Sequence, residues 1–305
     1  GCTLALNLAI HGLVRPGDHV IATAADHNAV LRPLHALSRR GIAAVTIVPC
    51  DGLGRVDPAA VAAAWRPATR LVACTHASNV SGAVQDVAAI AAIAHDRGGL
   101  LLLDAAQTLG QMPLDVVAVG ADVVAAPAHK WLHGTAGVGL LWARAGVEPE
   151  PLVQGGTGSR SESLDMPEAF TDRMEPGTPD VPALAAFLAA DVWLQARGIA
   201  ATGEACRELA AECAGRLRSL SGVRVIAAEG APIVSFTIEG YDPGEFAVLL
   251  EQAAGVEVRS GFHCAACVHE HLGTAAGGTV RASFGPGNDL ADVDALVRVV
   301  ESIQC

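Results

Sequence analysis

Short apolar runs alternate with helix-like runs through residues 1–145, and this alternation restricts the fold more than any other feature. The apolar runs include "HVIATA" at 19–24 and "RLVACTH" at 70–76, both of strand length. The runs between them have helical spacing, and one of them begins with Asp57 at the predicted N-cap. Strands that are apolar on both faces and separated by helices predict a mostly parallel sheet covered on both sides.

The rest of the chain predicts a second, smaller unit. Residues 150–180 are rich in glycine, proline and serine, and an irregular stretch of this length usually serves a function or an interface. Beyond Gly198, helical runs surround short strand-like runs. We therefore predict an α/β protein with a large domain at 1–197 and a smaller α+β domain at 198–305.

Charge and hydropathy argue against several functions. The net charge of −12 argues against nucleic acid or an anionic membrane as a partner. No charge-free apolar run reaches the roughly 18 residues of a membrane-spanning helix, so none is predicted. Eight cysteines spread over 305 residues without a signal peptide predict reduced thiols and a cytoplasmic location.

Two of these cysteines form a C-x-x-C motif. Cys264 and Cys267 lie in "HCAAC", and His263, His269 and His271 are close by, which keeps a zinc site open as an interpretation. A structural zinc site takes four ligands, and a lone C-x-x-C supplies only two. We therefore predict no bound metal.

Three predicted strands end at side chains that can do chemistry. His76 ends one strand, Asp104 follows four leucines, and Lys130 follows "DVVAAPA". Ligands bind beyond the carboxyl ends of parallel strands, so we expect a site at this edge. A lysine buried there has a lowered pKa and can form a Schiff base with a cofactor aldehyde.

Pyridoxal phosphate would need three further groups, and the sequence offers each. Its ring nitrogen needs a carboxylate, such as Asp104, and its ring needs a flat partner, such as His27. Its phosphate needs a helix N-terminus, which residues 1–3 provide. Singly, Asp104 and Thr3 could be N-caps and His27 a loop histidine. Together, in this order, they favour a pyridoxal phosphate site.

These segments resemble the class V aminotransferase family and, within it, the cysteine desulfurases and their close relatives. The resemblance covers nearly the whole chain and implies fold type I of the pyridoxal-phosphate-dependent transferases. Nine segments carry it, in the family's order: "GCTLALN", "DHNAV", "THASNVSG", "DAAQTLGQ", "AHKWLHGTAGVG", "GGTGSRSE", "EPGTPD", "RSGFHCA" and "VRASFG".

The resemblance implies a role for each cofactor residue. Lys130 would bind the aldehyde and move protons at the substrate Cα. Asp104 would pair with the ring nitrogen, and Gln107 would hydrogen-bond the phenolic oxygen. His27 would stack on the ring and shuttle protons. The phosphate would be held by Cys2 through its amide, by Thr3, by His129 and by Thr157 of the partner subunit.

The resemblance also implies the reaction. Cys264 would be the nucleophile that takes sulfur from a substrate cysteine, leaving alanine and an enzyme persulfide. Asn79, which would also contact the cofactor, and Arg281 would bind the substrate carboxylate. The implied enzyme is a homodimer with shared active sites, and it would pass sulfur to an acceptor protein that the sequence does not name.

Three features depart from the family pattern. Pro127 stands where Ser or Thr is common, so we expect the phosphate to be held differently or more weakly. Cys267 follows where Ala-Pro is common, and it would either resolve a persulfide as a disulfide or have no role. About 60 to 80 N-terminal residues of the family are expected to be missing, judged from typical two-domain lengths.

Other functions stay open at this point. The chain could instead be a selenocysteine lyase, a cysteine sulfinate desulfinase or an aminotransferase, and in a transamination or amino-acid lyase reaction Cys264 would be incidental. It could be an inactive, truncated pyridoxal-phosphate-binding homologue. A redox or zinc module built on the C-x-x-C motif ranks last.

Overall fold

The first half of the chain forms a six-stranded sheet in the computed structural model, which describes residues 1–303. Its strands are β1 His19–Thr23, β2 Ala44–Val48, β3 Thr69–Thr75, β4 Leu100–Asp104, β5 Val123–Pro127 and β6 Gly139–Ala143. Their spatial order is β2-β1-β3-β4-β5-β6. All neighbouring pairs are parallel except β5 and β6, which are antiparallel. The predicted mostly parallel sheet is confirmed.

Helices cover this sheet on both faces. They are α1 Cys2–Leu13, α2 Asn28–Arg39, α3 Pro58–Ala63 and α4 Val87–Asp96. The strand β4 illustrates why its sequence is continuously apolar: Leu102 packs into the layer under α1 and α2, whereas Leu101 and Leu103 pack into the layer under α3 and α4. The predicted cap of α3 is present, since the Asp57 side chain accepts a 2.8 Å hydrogen bond from the Ala59 N–H.

The second half contains a four-stranded antiparallel sheet in the order β7-β8-β10-β9. Its strands are β7 Val223–Ile226, β8 Ile233–Ile238, β9 Arg259–Gly261 and β10 Thr279–Ser283. The remaining helices are α5 Phe170–Met174, α6 Val181–Arg197, α7 Ile199–Arg218, α8 Pro243–Ala254, α9 Ala266–Leu272 and α10 Leu290–Ser302. The expected α+β arrangement is present. The domain division at residues 197 and 198 stays a proposal; α6 ends and α7 begins on either side of Gly198.

No single helix within residues 1–303 is long and apolar enough to cross a membrane. Helices α6 and α7 meet the length and composition criteria only as a pair, and a bend of 78° separates them. The cytoplasmic location stays a prediction. The seven cysteines between residues 1 and 303 have free thiols, and Cys305 lies outside the described residues.

Candidate active site

The carboxyl ends of the parallel strands open into a cavity of ≈ 720 Å³. This is the edge where the sequence predicted a site. The N-terminus of α1, the turns after the strands and one strand of the second sheet line it. The lining includes most of the predicted site residues: Cys2, Thr3, His27, Asn79, Asp104, Gln107, His129 and Lys130.

Asp104 is the last residue of β4, and its side chain is only 3% exposed. One of its oxygens, Oδ1, accepts a 3.0 Å hydrogen bond from the Ala106 N–H and lies 3.8 Å from the Cys2 thiol sulfur. Burial raises the pKa of Asp104, and the nearby Lys130 partly offsets that increase. The site therefore contains a buried carboxyl whose charged form depends on a cation close by.

Lys130 lies in a tight loop between β5 and β6. The Gly134 N–H donates to the Ala128 carbonyl at 2.8 Å, and the His133 N–H donates to the Lys130 carbonyl at 3.0 Å. Burial lowers the pKa of Lys130, while Asp104 acts in the opposite direction. A lowered pKa increases the fraction of neutral amine, which is the form that attacks a carbonyl.

The loop is also held from the neighbouring segment. The Trp131 indole N–H donates a 3.3 Å hydrogen bond to Oε1 of Gln107. Gly110 has a φ of +98°, and a Cβ at this position would lie 2.4 Å from the Trp131 carbonyl oxygen. Glycine at 110 therefore permits the close approach that positions the lysine loop.

The first turn of α1 faces the cavity with free amide groups. The Leu4 and Ala5 N–H groups donate to the Gly1 carbonyl, whereas those of Cys2 and Thr3 come too early in the helix for an intrahelical acceptor. A Cβ at Gly139 would lie 2.4 Å from the Gly1 carbonyl carbon, so glycine at 139 lets this turn contact β6. Free N–H groups at a helix start favour an anion.

His27 forms the N-cap of α2, and its Nδ1 accepts a 3.0 Å hydrogen bond from the Ala29 N–H. Burial lowers the pKa of His27 to about 4, with further contributions from Lys130 and arginines including Arg259. The imidazole is therefore neutral at pH 7. Because Nδ1 is an acceptor, the neutral ring has its proton on Nε2.

Asp26 precedes His27 and is a site-supporting residue that the sequence reasoning missed. Its fully buried carboxylate accepts hydrogen bonds from the Thr23 N–H at 2.7 Å and from the Thr75 N–H at 2.6 Å. It thereby joins the turn after β1 to the end of β3. Burial raises the pKa of Asp26 to about 7. Its signal in the sequence was an acidic residue next to the predicted stacking histidine.

The segment containing Cys264 comes from the second sheet but is held against α2. The Cys264 carbonyl accepts a 2.7 Å hydrogen bond from the Asn28 N–H, one residue after His27. The preceding carbonyl, of His263, accepts a 2.7 Å hydrogen bond from the Asn79 side chain. Both His263 and Cys264 have positive φ angles, of 51° and 59°. These unusual backbone angles fit a segment whose conformation is fixed by its surroundings.

Arg281, on β10, continues this set of contacts. Its Nη1 donates a 2.8 Å hydrogen bond to the Asn79 carbonyl, whereas its Nε is buried without a partner among the described residues. Burial lowers the pKa of Arg281 to about 10, and the nearby Arg259 contributes to the decrease. A half-buried guanidinium whose buried Nε–H has no partner among the described residues is suited to an anionic ligand.

Arg259, on β9, is the second residue that sequence reasoning missed. It lines the cavity, and its Nη2 lies 3.4 Å from the Cys264 sulfur. The sequence shows an arginine five residues before the cysteine. The contact depends on the three-residue strand β9, which is too short to leave a periodic pattern.

Three of the predicted site residues, Cys264, Arg281 and Thr157, are not among the residues that line the cavity. Thr157 does not line the cavity, and its hydroxyl contacts Ser159 in its own loop. Pro127, in β5, lines the cavity without offering a hydroxyl or an N–H. Within residues 1–303, no group of three or more His, Cys, Asp or Glu side chains is arranged to hold a metal, and this range includes both cysteines of the C-x-x-C motif.

The model of the aminotransferase class-V family matches residues 1–296. This chain belongs to the aminotransferase class-V family. The family depends in general on pyridoxal phosphate, and the chain is accordingly a pyridoxal-phosphate-dependent enzyme by family.

Similar proteins cover almost the whole chain. A probable cysteine desulfurase of Methanothermobacter thermautotrophicus is 37% identical over 98% of this chain and 76% of its own length. A probable cysteine desulfurase of Mycolicibacterium paratuberculosis is 32% identical over 99% of this chain, which spans 45% of that relative. The structure of the cysteine desulfurase CsdA from Escherichia coli matches with a TM-score of 0.92 and 29% identity, over 99% of this chain and 77% of that one. The predicted family and fold type are confirmed.

Proposed function

We propose that this protein is a cysteine desulfurase, which converts L-cysteine to L-alanine and leaves a persulfide on Cys264. One observation carries the proposal: the Cys264 carbonyl is hydrogen-bonded to the residue after His27, and Arg259, which contacts the Cys264 sulfur, lines the same cavity as Lys130 and Asp104. A transamination site needs a lysine and a carboxylate, but it has no use for a cysteine held there. The names of the similar proteins support the same reaction.

The residues around the cavity fit pyridoxal phosphate. Asp104 offers a buried carboxyl to the ring nitrogen, and the free N–H groups of Cys2 and Thr3 offer an anion site for the phosphate. Since Pro127 lacks a hydroxyl, Thr3 and the exposed His129 at the rim would take a larger share of the phosphate contacts. When bound, pyridoxal phosphate supplies an electron sink for carbon atoms of an attached amino acid.

The charges around the cavity also suit the substrate. Arg259 and Arg281 both contribute to the lowered pKa of Lys130, so both cations act on the cavity. Within residues 1–303, neither arginine forms an ion pair with a carboxylate. Arg281 and Asn79 would bind the substrate carboxylate, and Lys130 would take the proton from the substrate Cα.

Cys264 would then transfer the sulfur. Its thiolate attacks the substrate sulfur, the bond between Cβ and sulfur breaks, and a sulfur–sulfur bond forms on Cys264. The electron pair of the broken bond remains on the substrate carbon, which takes up a proton to give alanine. The neutral His27 ring, with its proton on Nε2, would donate and recover a proton at the substrate. The products are alanine and a Cys264 persulfide, and no oxidant is consumed.

The proposal is tested by mixing pyridoxal-phosphate-loaded protein with L-cysteine and dithiothreitol and measuring alanine and sulfide. Both should form in equal amounts, and Cys264→Ala should lose desulfuration while Cys267→Ala, changed three residues away, keeps most of it. Borohydride should reduce the Schiff base of the wild type, which removes the visible band and leaves the cofactor covalently bound to Lys130, whereas Lys130→Ala should retain no bound cofactor. Desulfuration that persists in Cys264→Ala would refute the assigned nucleophile.

We also propose that the protein is a homodimer whose copies complete each other's sites. Leu4 and Leu152 line the cavity, yet each is about half exposed, and the neighbouring Val153 is exposed as well. Apolar side chains grouped at a cavity mouth are suited to cover by protein. Thr157 follows in the same loop and, as the family resemblance implies, would reach the partner's phosphate. The sulfur-acceptor protein stays a prediction.

The dimer is tested by light scattering of purified protein. The wild type should have twice the mass of the chain, and a Leu152→Glu, Val153→Glu variant should shift toward the monomer and bind pyridoxal phosphate more weakly. A wild type that is monomeric at micromolar concentration, with full cofactor affinity, would contradict the shared site.

A further inference from the structure

A strip of basic side chains covers the outer face of α2. Four exposed residues form this basic strip, Arg32, His35, Arg39 and Arg40. Residues three or four positions apart lie on the same side of a helix, so Arg32, His35 and Arg39 form one row. The buried residues of α2, which include Leu34, pack on the opposite side against the large sheet.

The local charge around the basic strip differs in sign from that of the whole chain. Residues 1–50 contain four arginines and two aspartates, a formal side-chain charge of +2, whereas the chain carries −12. Of the two aspartates, Asp18 accepts a 2.7 Å hydrogen bond from the Arg15 N–H, and Asp26 is buried. Within residues 1–303, none of the three arginines of the strip forms an ion pair with a carboxylate. The strip therefore has cations to offer to a partner.

The basic strip begins beside the segment that contains Cys264. The Asn28 N–H, in the first turn of α2, donates to the Cys264 carbonyl at 2.7 Å, and Arg32 lies one turn further along the helix. Arg32 also contributes to the lowered pKa of His27, so its charge acts at the cavity. Arg39, the last residue of α2, lies about 16 Å from Asn28 along the helix axis. A ligand with one end at Cys264 can therefore contact the strip along its length.

An exposed aromatic side chain lies in the same segment as Cys264. Phe262 is 43% exposed, and its ring makes an edge contact with the buried His269 ring at 5.2 Å between centroids. Aromatic residues are enriched among the side chains that contribute most to binding between proteins. An apolar anchor next to a row of cations suits a polypeptide better than a small anion.

We propose that the basic strip docks the sulfur acceptor, and that this acceptor is a polypeptide whose thiol is flanked by Asp and Glu residues. The proposal rests on the proposed function, because it takes the Cys264 persulfide as the sulfur donor. Charge complementarity supports an acidic polypeptide, since it would pair three arginines that have no carboxylate of their own. The net charge of −12 disfavours nucleic acid, whose phosphates would extend beyond the strip over an acidic surface.

The transfer itself needs no further reactant. The acceptor thiolate attacks the outer sulfur of the Cys264 persulfide, and a new sulfur–sulfur bond forms on the acceptor. The bond between the two sulfurs on Cys264 breaks, and its electron pair stays with Cys264 as a thiolate. One persulfide is exchanged for another, so no oxidant or reductant is consumed.

The test offers three synthetic acceptors to cofactor-loaded protein with L-cysteine. Each peptide has one cysteine followed by six glutamates, six serines or six lysines, and a run of six residues extends about 20 Å, enough to span the strip. At about 0.1 M salt, charges more than roughly 10 Å away are largely screened, so the rates report on local charge. Mass spectrometry of the peptide persulfides should show the fastest transfer to the glutamate peptide.

Variants then locate the effect. Arg39→Gln, Arg40→Gln removes two cations that do not line the cavity, and kcat/KM for the glutamate peptide should fall roughly fivefold, the effect of two exposed ion pairs. Turnover with dithiothreitol, which is uncharged, should not change. Arg39→Lys, Arg40→Lys keeps the charge and should keep most of the rate. Arg97→Gln, Arg298→Gln removes two exposed arginines elsewhere and should leave both rates unchanged.

Three outcomes would overturn the proposal. The wild type could transfer sulfur equally well to the glutamate and lysine peptides, or Arg39→Gln, Arg40→Gln could keep the wild-type rate. A labelled, thiol-free glutamate hexapeptide, whose binding is measured by fluorescence anisotropy, could be displaced more strongly by a single-stranded RNA than by its unlabelled form, which would indicate a nucleic-acid surface. This binding needs no turnover, so a wild type that forms no alanine with dithiothreitol would refute the desulfurase, whereas the anisotropy would still decide whether the strip binds acidic polypeptides.

Discussion

The Asn79 side chain donates a 2.7 Å hydrogen bond to the carbonyl of His263, which is 184 residues away in the sequence. This bond joins the segment after β3 to the segment that contains Cys264. In Asn79→Ala the buried carbonyl loses its donor, so the free energy of unfolding should fall by about 1–3 kcal/mol. Hydrogen exchange should increase at residues 262–266, as measured by mass spectrometry.

A surface asparagine provides the control for this change. Asn288, exposed in the segment before α10, donates to Asp292 in the first turn of that helix, and Asn288→Ala should leave exchange at residues 262–266 unchanged. If Asn79→Ala also left this exchange unchanged, the bond would not hold the cysteine segment.

Asp122 directly precedes β5 and stabilises the end of the large sheet that lies opposite the cavity. Its buried carboxylate accepts hydrogen bonds of 2.8 Å from the Leu101 N–H, from His95 Nε2 and from Arg144 Nε. Asp122→Ala leaves the Leu101 N–H buried without an acceptor, which should lower the free energy of unfolding by about 2 kcal/mol. Arg144 is half exposed, so water replaces most of its lost interaction.

Urea denaturation measures this loss of stability. Enzyme activity tests whether the substitution also affects the candidate active site. Asp122 is remote from the cavity lining, so the kcat of the folded fraction should equal that of the wild type. If Asp122→Ala had the same midpoint of urea unfolding as the wild type, the three hydrogen bonds would contribute little net stability.

His76 should make the protein less stable in acid. Burial lowers its pKa to about 4, whereas an unfolded chain has a histidine pKa of about 6.5. Between these values the unfolded state binds a proton that the folded state does not, so the free energy of unfolding falls as the pH falls. His76→Gln removes this contribution and should give a shallower decrease between pH 6.5 and 4 in denaturation experiments.

Asp26 contributes with the opposite sign in an overlapping range. Its pKa is raised from 3.8 to about 7, so the folded state keeps a proton that the unfolded state has lost, and acidification through this range adds stability. Asp26 is present in both proteins, so its contribution cancels when His76→Gln is compared with the wild type. His35→Gln, on the exposed side of α2, is the control; a slope that changes equally in both variants would contradict the role of burial at His76.

The sequence predicted the large sheet well because its signals were local. Continuous apolar runs ending at His76 and Asp104 require burial on both faces, and the positions of such ends follow from the rule for parallel sheets. The same reasoning brought Lys130 and His27 to the cavity. In the second half, strands of three and four residues, β9 and β7, were too short for periodicity to detect.

The missed contacts depend on which strands pair and in which register, and not on residue type. Arg259 reaches Cys264 because β9 pairs with β10, and Asp26 reaches the Thr75 N–H because β1 lies beside β3. No local pattern encodes either register. No helix was predicted at α9, Ala266–Leu272; in the structure Val268 and Leu272 pack it into an apolar cluster.

Gly110 should be essential to the lysine loop. Its φ of +98° is strained for any other residue, and a Cβ would lie 2.4 Å from the Trp131 carbonyl oxygen, which is backbone and cannot rotate away. Gly110→Ala should therefore displace the loop of Lys130 and lower the free energy of unfolding by at least about 1–3 kcal/mol. Pyridoxal phosphate titrated into the variant should give a weaker visible band. Gly146→Ala, which also has a positive φ but open space around its Cβ, is the matched control, and it should bind pyridoxal phosphate like the wild type. Equal loss of binding in both variants would assign the effect to backbone strain in general and not to the contact with Trp131.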